Sequence, residues 1–133
     1  MNKAIRWVDA PARAVMSLLF LWSGGGKLVS IAATRGFMES YGVPGIFLWP
    51  TALFEVSAGF LLLIGLWTRP VALLLAGFCL ITAFIFHGAL SDQIQLIMFL
   101  KNLTMAGGFL LLAKTGAPGL SVDGLLSPRE RAQ

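Results

Sequence analysis

The chain has 133 residues, of which 57% are hydrophobic and 12% charged, with a mean hydropathy of +0.83. These values exclude a soluble globular domain and indicate a protein that resides in a lipid bilayer. The net charge of +4 comes from ten Lys and Arg residues scattered over loops and segment ends, without the basic face that would imply a nucleic-acid partner.

Crossing a hydrocarbon core of about 30 Å takes roughly 20 helical residues. Four apolar runs meet that length: 10–29, 45–66, 70–90 and 94–113. A cleaved signal peptide is the competing account of the first run, since Lys3 and Arg6 precede it and Ser30-Ile31-Ala32 could pass for a cleavage site. Against it, three glycines and Lys27 interrupt the run where a signal peptide is most apolar. The connection 30–44 carries Arg35, Phe37, Met38, Glu39 and Tyr41, which suits an interfacial cap over one mouth of a bundle or a solvated loop. Pro70 suits a first helical turn, and Trp67-Thr68-Arg69 before it allows only a hairpin. The expected fold is therefore an all-α, integral-membrane four-helix bundle with antiparallel neighbours, forming one domain with a short mobile tail over 116–133.

Basic residues near the segment ends set the orientation. Lys3, Arg6, Arg13, Arg69, Lys114, Arg129 and Arg131 share one side, and Lys27, Arg35 and Lys101 the other. The bias puts both termini in the cytoplasm. Trp7, Trp22, Trp49 and Trp67 fall mostly where interfacial belts occur.

The stretch Ser23-Gly24-Gly25-Gly26-Lys27-Leu28 has the flavour of a phosphate-binding loop, but Leu21 stands where that loop needs glycine and Leu28 where it needs Ser or Thr. Depth along the helices gives a better account. At about 1.5 Å per residue, Glu55 lies roughly 9 Å and Lys101 roughly 10 Å from the outer ends of the second and fourth runs, with Lys27 and His87 about 5 Å from theirs. Each run thus places one ionisable residue in the outer half, and Asn102 adds a polar group to the same layer. A charge at depth costs about 2.5 to 3.5 kcal/mol on insertion scales, so Glu55 is expected to pair with Lys27 or Lys101. Gly24, Gly25 and Gly26 remove side-chain bulk from the turn before Lys27, which would let a neighbouring backbone approach and let the lysine fold inward. Plainer readings exist: Lys27 snorkelling to headgroups, His87 as an interfacial polar residue, and Glu55 with Lys101 as a structural pair. The lone Cys79 offers no thiol pair, and neither metal-ligand spacing nor a copper-type Met cluster occurs.

Several of these motifs occur together in one family. Gly26-Lys27, Glu55, Gly65-Leu66-Trp67-Thr68-Arg69-Pro70, His87, and Phe99-Leu100-Lys101-Asn102-Leu103 followed by Gly107-Gly108 resemble the DoxX family of small bacterial inner-membrane proteins, over roughly 13–123. The resemblance implies a multi-pass protein of the bacterial cytoplasmic (inner) membrane. The family is named alongside the membrane subunit of a thiosulfate to quinone oxidoreductase, and some members look like anchors for redox-stress complexes. Quinone is the cofactor this implies; no residues resemble a haem, flavin or iron–sulfur motif.

The leading expectation is an outer-leaflet pocket lined by Lys27, Glu55, His87, Lys101 and Asn102 that binds a quinone headgroup or small anion in a membrane oxidoreductase system. Lys101 and Asn102 would donate hydrogen bonds, and Glu55 or His87 would carry protons. The expected partners are the lipid bilayer and either redox-complex subunits or further copies of the chain. The alternative is a non-catalytic anchor or assembly subunit. A small-solute permease fits less well, because no ionisable residue continues the layer into the inner half.

Overall fold

A computed structural model describes the backbone of residues 3–127 and the side chains of residues 7–127. The side chains of Lys3 and Arg6, and all of Arg129 and Arg131, used above for orientation, lie outside the described residues. Every regular element is helical: α1 (Lys3–Val29), α2 (Ile31–Ser40), a 3-10 turn (Gly45–Phe47), α3 (Leu48–Ile64), α4 (Thr68–Phe86), α5 (Gln93–Thr115) and α6 (Val122–Leu126). Three segments are long and apolar enough to cross a membrane, namely Gly45–Ile64, Thr68–Phe86 and Gln93–Thr115. A fourth arises if α1 and α2, bent by 105° at Ser30, count as one broken span. The predicted first run, 10–29, therefore differs from the other three, being diluted by Arg13, Lys27 and three glycines. The 30–44 connection is helical over most of its length.

The chain divides into two compact units, Met1–Trp67 with Ala117–Gln133, and Thr68–Gly116. In the first, α1 and α3 pack with their contacts in reverse order: Arg13 meets Leu62, Leu21 meets Gly59, and Gly24 meets Ala52 and Val56. Two glycines allow this approach. A Cβ on Gly24 would stand 2.7 Å from Val56 Cγ2 and 3.0 Å from the Ala52 carbonyl, and one on Gly59 would stand 3.1 Å from Leu21. A Cβ on Gly25 or Gly26 would meet no atom within 4 Å. Only one of the three consecutive glycines is thus needed for packing.

α3 stops at Gly65, whose φ of +71° is one that L side chains resist. Gly65 N–H donates to the Leu61 and Leu62 carbonyls and Leu66 N–H to Leu61, a Schellman closure. Of the segment after Gly116, expected to be mobile, residues 117–127 fold back on this closure, and 128–133 lie outside the described residues. Asp123 N–H donates to the Gly65 carbonyl, Trp67 N–H to Asp123 Oδ1, and Gly119 N–H to Asp9 Oδ2. Ala117 and Ser121 are buried there, and Ser121 caps α6 by accepting from Gly124 N–H.

In the second unit α4 and α5 pack together around Leu75, Ala76, Cys79, Ala83, Ala106 and Phe109. Phe84 and Phe99 meet edge to face at 5.2 Å. Asp92 caps α5, accepting from Ile94 N–H at 2.9 Å and Gln95 N–H at 3.1 Å.

Candidate functional site

The close approach at Gly24 brings Lys27, one turn further along α1, against Glu55 of α3. Lys27 Nζ lies 2.9 Å from Glu55 Oε1 and donates to Ser23 Oγ at 2.8 Å. The two side chains differ in exposure, at 21% for Lys27 and 3% for Glu55. The carboxylate is thus enclosed while its cation reaches outward. Glu55 Oε2 is buried and has no hydrogen-bond partner among the described residues. A buried carboxylate oxygen without a donor costs free energy, and such groups mark places where a proton or a ligand donor completes the set. The first of the two partners expected for Glu55 is therefore in place.

The other three sequence-chosen residues belong to the Thr68–Gly116 unit. His87 Nδ1 lies 3.0 Å from Gln95 Oε1 across the α4–α5 turn. Asn102 donates to the Cys79 carbonyl at 3.3 Å and to Thr82 Oγ1 at 3.2 Å, so its amide ties α5 to α4. Lys101 is exposed. No three His, Cys, Asp or Glu side chains among the described residues stand together to hold a metal ion.

A second polar centre escaped sequence reasoning, which used Arg13 only as an orientation marker. Arg13 is 1% exposed. Its Nη1 donates to the Leu62 carbonyl at 3.0 Å and the Leu63 carbonyl at 3.1 Å, its Nη2 donates to the Leu120 carbonyl, and its Nε lies 3.6 Å from Asp9 Oδ1. The guanidinium thus adds a second donor to the Leu62 carbonyl, already bonded to Gly65 N–H, and reaches the Leu63 carbonyl, at a helix end where the dipole favours a cation. The available signal was an arginine one turn inside an apolar run whose partner helix ends in glycine. Both Nη groups find acceptors in the chain itself, while buried Nε has no hydrogen-bond acceptor among the described residues and only the Asp9 carboxylate at ion-pair distance; the contacts tie α1 to the close of α3.

Comparison with known proteins agrees with the helical, membrane-embedded character of both units. A family model described as DoxX matches residues 8–88. The chain is 46% identical over 118 residues to Inner membrane protein YqjF of Escherichia coli (strain K12), an alignment covering 89% of this chain and 91% of that protein. It is 36% identical over 119 residues to Inner membrane protein YphA of the same organism, covering 84% and 85%. No solved structure matches the chain. The family match spans the Lys27–Glu55 pair and His87, while Lys101 and Asn102 lie beyond its end.

Proposed function

The chain belongs to the DoxX family and is a multi-pass inner-membrane protein, and from that premise we propose that it binds a quinone headgroup at the Lys27–Glu55 pair as a component of a membrane oxidoreductase system. The observation that carries this reading is Glu55 Oε2, an enclosed acceptor without a donor beside a partly exposed ammonium. A quinone fits that donor set in both redox forms. Its carbonyl oxygen accepts from Lys27, and its reduced form offers a hydroxyl to Glu55. A small anion fits less well, because the carboxylate repels it and the lysine is already neutralised.

When bound, the quinone would supply two-electron redox chemistry, with electrons exchanged through a separate redox subunit. The chain's residues orient the headgroup and hold the proton: Glu55 accepts it at Oε2, and Lys27 stabilises the ionised carboxylate. Within the Thr68–Gly116 unit, His87 is proposed as a proton carrier and Lys101 as a hydrogen-bond donor, each tested by its own substitution, while the amide of Asn102 already donates to Cys79 and Thr82. The same reading places both termini in the cytoplasm, which reporter fusions at Gly36 and Gln133 would check.

Lipid extraction of the purified protein is the direct test. Quinone should copurify in near-stoichiometric amount with the natural chain and be lost from a folded variant carrying Lys27→Met with Glu55→Gln. Equal quinone in both would take the quinone away from this pair, and none in either would leave the non-catalytic anchor as the reading.

A further inference from the structure

The corner at Ser30 supports an inference independent of any ligand at Lys27 and Glu55. α1 lies alongside α3 from Arg13 to Gly24, and the segment containing α3 is long and apolar enough to cross the membrane. α1 therefore runs through the same layer. At 27 residues it is about 40 Å long, enough for the crossing without help from α2. α2 leaves it at 105°, a direction close to the membrane plane, at the level where the segment containing α3 begins.

The residues of α2 divide by flank. Ile31, Thr34 and Met38 follow the 3.6-residue period on one face, and Met38 is buried against the protein. Arg35 and Glu39 lie on one side of that face, next to Gly45. Ala33, Phe37 and Tyr41 lie on the other, with Phe37 53% and Tyr41 42% exposed and their rings 5.1 Å apart. Nearby in sequence, Ile46, Phe47 and Trp49 are also exposed.

We propose that α2 is an in-plane helix of the membrane surface, its Phe37–Tyr41 flank seated at the boundary between lipid headgroups and acyl chains and its Arg35–Glu39 flank turned to water. The occupant of the apolar flank is leaflet lipid, because the exposed Phe37 and Tyr41 rings lie opposite the charged Arg35–Glu39 flank on a helix that turns away at 105° from α1, which packs beside a segment able to cross the membrane. Aromatic rings favour this boundary, and a helix with apolar and charged flanks lies along it. α1 then makes a crossing by itself, and α2 roofs the end of the α1–α3 pair that holds Lys27.

Nitroxide labels test the orientation. Single cysteines at Phe37, Ala33 and Glu39, in a Cys79→Ala background, are labelled and reconstituted into phosphatidylethanolamine–phosphatidylglycerol vesicles. Collision rates are then measured with oxygen, which concentrates in lipid, and with a water-soluble nickel chelate. The ratio of oxygen to nickel rates should be several-fold higher at 37 and 33 than at 39. Strong nickel collisions at all three positions would make α2 a solvated loop, and strong oxygen collisions at all three would make it part of a broken span. Weak collisions with both agents at 37 would mean that protein covers the flank. Each of these three outcomes overturns the proposal, and the Ala33 label guards against a local perturbation at Phe37.

Discussion

Arg13 and Leu62, 49 positions apart in the chain, are joined by a 3.0 Å hydrogen bond from a guanidinium 1% exposed to a carbonyl near the end of a neighbouring helix. The bond is one of several that hold α1, the close of α3 and the returning segment 117–126 together. Replacing Arg13 with Met would take the side-chain donor from the Leu63 and Leu120 carbonyls, leave Leu62 with Gly65 N–H alone, and deprive Asp9 of its counter-ion. Loss of one partner of a buried charged network typically costs about 3 to 5 kcal/mol. We expect a large fall in thermal midpoint in detergent, and a substantial fall even for Arg13→Lys, whose ammonium cannot reproduce the planar fork. An unchanged midpoint would remove Arg13 from the framework.

Gly65 sits against that same guanidinium. A Cβ there would stand 2.5 Å from Ser121 Cβ and 2.6 Å from Arg13 Nη1, in addition to the left-handed backbone. At an ordinary helix end Asn recovers much of what Ala loses, because it tolerates positive φ. Here Gly65→Asn should be nearly as damaging as Gly65→Ala, by about 2 kcal/mol or more, since both add the clashing carbon. Thermal unfolding of the two variants side by side decides the matter.

The three consecutive glycines should separate cleanly under substitution. Gly24→Ala forces a methyl between α1 and the Ala52–Val56 turn and should cost about 1 to 3 kcal/mol. Gly25→Ala and Gly26→Ala meet open space and should be neutral or stabilising by up to about 1 kcal/mol, as expected for Ala over Gly inside a helix. Equal effects at 24 and 25 would contradict the packing described for α1 and α3.

The Lys27–Glu55 pair separates ligand binding from scaffolding. Removing only Glu55 conflates the two roles, because it strands the lysine. The joint change Lys27→Met with Glu55→Gln removes both charges at similar volume, and a purely structural pair so replaced is often neutral or stabilised. The expected result is a folded protein, judged by an unchanged thermal midpoint, that no longer copurifies with quinone. A folded double variant that retains stoichiometric quinone would falsify the binding role.

Much of this molecule is legible in its residues one at a time. Composition alone places it in the membrane, and four apolar runs foretell α3, α4 and α5 and the apolar part of α1. The depth of Glu55 calls for a cation nearby, Lys27 or Lys101, and the packed pair of α1 and α3 supplies Lys27. These inferences succeed because the bilayer is a uniform, low-dielectric solvent, so the cost of a buried charge follows from depth along a helix and from little else. Helix faces and chain returns are different. Which glycine of three receives a neighbour, whether Arg13 orients the chain or clamps it, and whether the residues after Gly116 trail away or dock all depend on the rotation of α1 against α3. That rotation is set by interdigitating side chains from positions dozens of residues apart. Periodicity along one helix leaves it open, and only the packed pair of helices decides it.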